Sequence, residues 1–346
     1  MRLRKIEVSR CLDGDIIACD VFHNNGMLIL VKDTVINDYI KQQLHKLNIY
    51  EISVYDADYH KIKDIEHCDD MSETYQMTIA YCKDIFHGLI SGSFINHQLI
   101  ASVIEKINYN TNEYNNIIQC LLEIRSTDEY TYRHCVNVSF YSMLIAKWLK
   151  LSEQEIKKAT QAGLLHDIGK TKIPNEILNK KGSLSTEEYN EIKKHTILGY
   201  DIIKNIDYFD NDVKKAVLLH HERMDGSGYP FHYQADHLNL YSRIVAVADV
   251  FDAMTSNRVY KNKSTPFDVF DIFKTIGYTM FDPKILTVFM NNLATYLVGA
   301  KVMLSTGEVG KIAFIPLHQI TYPIIELPSG YVDLSKDFHI KIVSMI

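Results

Sequence analysis

The sequence predicts a mainly α protein, with a small α/β domain at its N-terminal end and a small β unit at its C-terminal end. Three observations lead there. Apolar residues recur at helical spacing from about Ser72 to residue 298. Capping pairs of Ser or Thr with an acid three residues later punctuate that stretch. After residue 298 the pattern shortens to apolar runs parted by glycine turns, as in strands. At roughly 150 residues per domain, 346 residues suggest two or more units. The predicted divisions are a small α/β regulatory or dimerisation domain at 1–68, a helical connector at 69–125, a helical core at 126–298 and a β unit at 299–346.

In the first segment, the apolar runs Asp15–Val21 and Met27–Val31 flank Asn24-Asn25-Gly26 and read as a hairpin. Ile40, Leu44 and Leu47 give Asn37–Leu47 a helical face, and Ile49–Tyr55 reads as a strand. Polar residues at 56–72 suggest a linker. From Ser72 to Arg125 the spacing is helical, with a break expected at Gly88 and Gly92. Asp128 can cap a helix running to about Lys150. Ser152 with Glu155 and Ser185 with Glu188 form capping boxes, and Thr265-Pro266 with Asp268 opens another helix. Lys301–Leu304, Val309–Ile315, Pro323–Leu327 and His339–Val343 read as strands, with turns at Thr306-Gly307 and Ser329-Gly330.

Composition excludes several classes. A net charge of −6 argues against binding a nucleic-acid polymer. A hydrophobic content of 47% is too high for a disordered chain. No apolar run approaches the roughly 18 residues of a membrane span; the longest candidate, Thr287–Leu304, is interrupted by Asn291, Asn292 and Lys301. Charged residues from Arg2 to Arg10 break any signal-peptide pattern. The six cysteines form no CxxC pair and read as reduced thiols. The expected setting is the cytoplasm.

The helical core carries an ordered series of metal-ligand residue types: His134, His166-Asp167, His195, His220-His221 and Asp249. Several helices can converge such residues on one point. Adjacent ligands serve two neighbouring ions more readily than one, so the paired residues favour a binuclear centre. A single histidine in a helix is more often a satisfied or exposed residue, and the remaining ten histidines receive that reading. Mixed His/Asp ligation suits iron, manganese, zinc or similar divalent ions. Lys170, four residues beyond His166, stands where an ammonium can neutralise a phosphoryl oxygen, with a solvated helix-end lysine as the plain alternative. Gly169 is expected to end the preceding helix. Arg243 and Arg258 flank the helix of Asp249 and suit phosphate, though surface ion pairs are as common a use. Asp252, one turn from Asp249, can orient a ligand histidine.

Together HDIGK (166–170), His195, HHERMDGSGYP (220–230) and SRIVAVADVFDAMTSNRVY (242–260) resemble the HD-GYP domain, a branch of the HD metal-dependent phosphohydrolases. The resemblance covers roughly residues 120–298. It implies a helical HD-type core and hydrolysis of the bacterial second messenger cyclic di-GMP to pGpG, and in some members to GMP, by a hydroxide activated at the metals. It implies His134, His166, Asp167, His195, His220, His221 and Asp249 as ligands of two divalent ions, iron or manganese, with Asp167 bridging. Lys170 matches the lysine at the scissile phosphate. Arg243, Arg258 and Lys261 match basic positions for the substrate's phosphates, and Gly228, Tyr229 and Pro230 form a corner beside the substrate groove. Tyr130 stands where members with a third metal carry glutamate, and Glu129 lies about 100° around the helix, so two ions are expected. Val259 replaces a usual proline. A homodimer and protein partners acting through the N-terminal domain are further expectations. A non-catalytic cyclic di-GMP receptor, and an HD phosphohydrolase acting on another nucleotide, are the competing readings.

Overall fold

The computed structural model describes residues 3–23, 28–30, 32, 34–55, 68–91, 97–109, 118, 121, 130–180, 182–256 and 264–346. These fall into two compact units. The first draws on residues 1–70, 265–271 and 290–346, the second on 71–264 and 272–289. The protein is mainly helical, as predicted, with small strand-bearing regions toward both ends.

In the first unit, strands β1 (Leu3–Glu7), β2 (Val21–Phe22) and β3 (Leu28–Leu30), helix α1 (Asp38–Lys46) and strand β4 (Glu51–Tyr55) come first. β2 and β3 pair as the predicted hairpin, whose Asn24-Asn25-Gly26 turn lies outside the described residues. The rest of the Asp15–Val21 run does not extend that strand. Asp15 accepts from the Leu12 amide at 3.0 Å, and Ile16 and Ile17 make only single bridges, to Val35 and Val54. β1, which pairs antiparallel with β4, carries no alternating signal because four of its five residues are exposed. Asn37 caps α1 by accepting from the Ile40 amide, and Ile40 and Leu44 bury its apolar face against Ile17, Ile36 and Val54.

Strands β5 (Lys301–Leu304), β6 (Val309–Phe314), β7 (Ile324–Leu327), β8 (Gly330–Asp333) and β9 (Ile342–Met345) form one antiparallel sheet in the order β8-β7-β6-β5-β9. β8 is absent from the sequence reading, since its GYVD is mostly polar and half exposed. The same unit joins α1 to this sheet: the Asn37 amide donates to the Ala313 carbonyl at 2.6 Å, and Tyr39 packs on Phe314 and Tyr331.

The second unit begins with α2 (Cys68–Ser91) and α3 (His97–Tyr109). α2 runs straight through Gly88, because nothing at that position requires a positive φ. The helices that carry the ligand series follow: α4 (Tyr130–Trp148), α5 (Glu153–Leu165), α6 (Thr186–Lys193), α7 (His195–Ile203), α8 (Asn211–Leu219) and α9 (Leu240–Thr255). Both predicted capping boxes form, at Ser152/Glu155 and Ser185/Glu188. In the first unit, Thr265 likewise exchanges hydrogen bonds with Asp268 at the start of Pro266–Ile272. α4 packs along α5 and against α9, and the Ser139 hydroxyl donates across to the Thr160 carbonyl at 2.8 Å. Among the described residues no helix is long and apolar enough to cross a membrane.

Gly169 has a different purpose from the one expected. α5 has already ended at Leu165, and Gly169 lies in the 3-10 turn Ile168–Lys172. A Cβ there would lie 1.9 Å from the His195 carbonyl oxygen, so glycine is needed for the turn to press against α7. Gly169→Ala is therefore expected to lower stability by about 2 kcal/mol or more, read as the midpoint of urea unfolding. An unchanged midpoint would contradict this packing.

Candidate metal centre

Each candidate ligand histidine is set by its own stretch of helix. His134 lies in the second turn of α4, His166 directly follows α5, His195 opens α7 and His220 closes α8. Asp249 is the exception, standing in the middle of α9 rather than near an end. His166, His195 and His220 each donate from Nδ1 to the backbone carbonyl three residues earlier, at 2.8, 2.7 and 2.8 Å (Gly163, Ile192 and Val217). His134 donates from Nδ1 to Asp252 Oδ2 at 2.6 Å. With Nδ1 protonated, all four rings turn an Nε2 lone pair inward.

Those lone pairs meet head-on. His134 and His166 bring their Nε2 atoms to 3.3 Å, and so do His195 and His220. Carboxylate oxygens join them. Asp167 Oδ2 lies 3.5 Å from His134 Nε2 and 3.3 Å from His166 Nε2, while its Oδ1 lies 3.3 Å from His195 Nε2. Asp249 reaches His134 Nε2 at 3.0 Å through Oδ1 and His221 Nδ1 at 3.6 Å through Oδ2. Two clusters result, His134/His166/Asp167 and Asp167/His195/His220/His221, with Asp167 common to both.

This arrangement fits divalent ions. Acceptors face acceptors with no hydrogen between them, and Asp167 Oδ1 is fully buried without a hydrogen-bond donor. A cation placed among them would satisfy such a set. The protonation states agree. Burial depresses His195 to about 4. Burial and neighbouring imidazoles hold His220 and His221 well below the usual histidine value. Burial alone would raise Asp167, but the Lys170 ammonium and the imidazoles around it keep its carboxyl well below the usual range. The Asp249 carboxyl is also held low, burial opposing it and the surrounding His221, His134 and His166 rings prevailing. His195, His220 and His221 are therefore neutral imidazoles and Asp167 and Asp249 ionised carboxylates, the forms that coordinate metal.

Around the ligands, the Lys170 ammonium donates to Asp167 Oδ2 and remains partly exposed. The Tyr229 ring stacks on His221 with centroids 4.6 Å apart. Gly228 lies where a Cβ would meet the His221 carbonyl at 2.4 Å, so the loop folds tightly onto the helix end. Pro230 follows through a cis peptide. Glu222, buried and unremarked in the sequence, pins this loop by accepting from the Phe231 and Tyr233 amides at 2.6 and 3.1 Å. Arg243 is engaged with Asp282 at 2.8 Å rather than with the ligand cluster. Arg258 and Lys261, with Val259 and Glu129, lie outside the described residues, as does the Tyr130 side chain. Asn137 was also missed, although it sits one turn beyond His134 on the same face of α4; it donates to Asp252 Oδ1 at 2.8 Å.

A family model described as HD domain matches residues 100–285. The chain belongs to the HD domain family, and its HDIGK and HHERMDGSGYP stretches place it in the HD-GYP branch. Among similar proteins, the cyclic di-GMP phosphodiesterase PA4108 of Pseudomonas aeruginosa is 33% identical over 227 residues, covering 65% of this chain and 54% of the relative. The 3'3'-cGAMP-specific phosphodiesterase 2 of Vibrio cholerae is 34% identical over 172 residues, covering 49% and 33%. The chain thus spans about half or less of the length of these relatives. A solved HDG"Y"P protein of Bdellovibrio bacteriovorus, Bd1817, has the same fold, with TM-score 0.56 at 15% identity over 83% of this chain and 98% of that one.

The depressed histidines set a pH dependence. An unfolded chain protonates them near 6.5, whereas the folded site resists until about 4 at His195. Protons then favour the unfolded state, so stability contributed above pH 6.5 is lost as pH falls toward 4. Metal-free protein is expected to show a falling Tm over that window, with a shallower fall in His195→Gln. A flat Tm between pH 7 and 4.5 would contradict the neutral, buried state of these rings.

Proposed function

We propose that the protein is a metal-dependent phosphodiesterase that hydrolyses cyclic di-GMP to linear pGpG, with GMP as a further product. The observation that carries this reading is the position of Asp167, shared by two ligand clusters and held by Lys170. His134, His166, Asp167 and Asp249 would hold one ion, and Asp167, His195, His220 and His221 the other, iron or manganese. Bound there, two divalent ions supply Lewis acidity and lower the pKa of a water to the range of neutral pH.

The chain's own groups do the remaining work. Lys170 Nζ, beside the shared carboxylate and partly exposed, donates to a non-bridging phosphoryl oxygen where charge develops. Water adds across one phosphodiester: a new O–P bond forms, the P–O3′ bond breaks, and the 3′ oxygen leaves with a proton. Tyr229 walls the groove through its stacking on His221, and Glu222 keeps the Gly228–Pro230 corner in place before substrate arrives. Arg243, Arg258 and Lys261 are assigned to the outer phosphate, Arg243 by exchanging Asp282 for it. The segment 1–68 is assigned a regulatory or dimerisation role and the protein a cytoplasmic setting.

The relative specific for 3'3'-cGAMP favours one alternative, the mixed cyclic dinucleotide as substrate. Turnover of cyclic di-GMP and 3'3'-cGAMP by anaerobically purified protein, loaded with Fe(II) or Mn(II), separates them by the ratio of kcat/KM. Asp167→Ala is expected to lose metal and turnover together, and full metal content with full turnover would sink the binuclear reading. Lys170→Ala is expected to keep its metal and lose about 10²–10³ in kcat; an unchanged kcat would remove the lysine from the mechanism. Tight binding of nucleotide by fully loaded protein without turnover would establish a receptor instead.

A further inference from the structure

His134 is held by a chain of buried hydrogen bonds that begins outside the span matched by the family model. Asp252 Oδ2 receives the His134 Nδ1 proton at 2.6 Å. Asp252 Oδ1 receives the Asn137 amide at 2.8 Å and the Ser256 hydroxyl at 3.0 Å. The other end of the Asn137 amide, Oδ1, accepts from the Tyr75 hydroxyl at 2.5 Å. Tyr75, Asn137, Asp252 and His134 are each no more than 3% exposed. Tyr75 belongs to α2, whereas the family match begins at residue 100.

The direction of this chain is set by chemistry. Beside Asn137 Oδ1 the Tyr75 phenol acts as the donor, which fixes the Asn137 amide with its NH₂ toward Asp252. The Asp252 carboxylate can only accept, so it holds the proton of His134 on Nδ1. That leaves Nε2 as a lone pair aimed at His166, Asp167 and Asp249. Without the phenol, the Asn137 amide can turn its oxygen toward Asp252, and the carboxylate then loses a donor and gains a repulsion.

We infer that Tyr75 is a positioning residue for the metal centre: acting through Asn137 and Asp252, it holds His134 in the tautomer that binds the ion of the His134/His166/Asp167 cluster. This rests on the binuclear reading above, and it makes α2 a part of that subsite. The Tyr75 ring also packs on Phe140, with centroids 6.4 Å apart, so Tyr75→Phe removes the hydroxyl while keeping that packing.

The test is a Co(II) titration of full-length, metal-free protein, followed by absorbance and chelator competition, with ¹⁵N spectra of the histidine rings. Tyr75→Phe is expected to weaken one of the two binding events by about tenfold and leave the other unchanged. The His134 ring should pass from a single Nδ1–H form to a mixture. Asn137→Ala should weaken the same event, and Tyr75→Phe should add nothing further in that background. Equal affinities at both events with an unchanged His134 spectrum would overturn the inference. So would weakening of both events alike, which is the mark of a general packing defect. If wild type bound no ion, the metal reading would fall on its own, and the His134 spectra would still decide the role of Tyr75.

Discussion

A carboxylate buried among imidazoles is the constraint on which the second unit turns. Asp167 is 1% exposed and presents both oxygens to histidine rings that, by their own hydrogen bonding, have no proton to offer. In an apolar interior such an anion is unfavourable by several kcal/mol unless positive charge accompanies it. Lys170 supplies one cation from the flank. The remaining electrostatic deficit lies between the two Nε2 pairs, which is where divalent ions would bring the site into balance. The surrounding elements converge on the same point. α4, α5, α7, α8 and α9 all deliver a donor to one point, and the Gly169 turn packs with backbone against backbone to bring two of them together.

The second layer converts fold into chemistry. Glu222 accepts from amides of the loop that follows the histidine pair, so hydrogen bonds of the chain itself hold the Tyr229 corner. Asp252 and Asn137 act in the same way on His134. In both cases a buried acid with no role as a ligand determines where a neighbouring functional group points. These residues contribute order rather than reactivity, and their substitution is expected to appear first in metal affinity.

Much of this was legible in the residues. The clustering of the His/Asp series was readable because HD and HH pairs are dense, chemically distinctive and placed at helix ends, and the two capping boxes marked where α5 and α6 start. Asp249 entered that series as a lone aspartate, and its place in the middle of a helix was not legible, since nothing local marks it. β1 and β8 escaped because an exposed edge strand needs no alternation, and a strand of GYVD resembles a turn. The reason for Gly169 was hidden for another cause: its neighbour in space, the His195 carbonyl, is 26 residues away in sequence. Tyr75 was hidden likewise, as one tyrosine among 22 with its partner 62 residues on.

The repeated bond from ring Nδ1 to the carbonyl three residues earlier has a consequence for how such a centre tolerates change. At 163–166, 192–195 and 217–220 the aim of each ring is encoded within a single helical turn. The centre is modular: three aiming devices, each complete in four residues, joined by connections that carry none of the directional information. Connections between those turns are free to lengthen or shorten so long as the helices still pack. A single residue inserted within any one of the four-residue units would rotate its ring away from the cluster by about 100°, with all ligands still present in the composition.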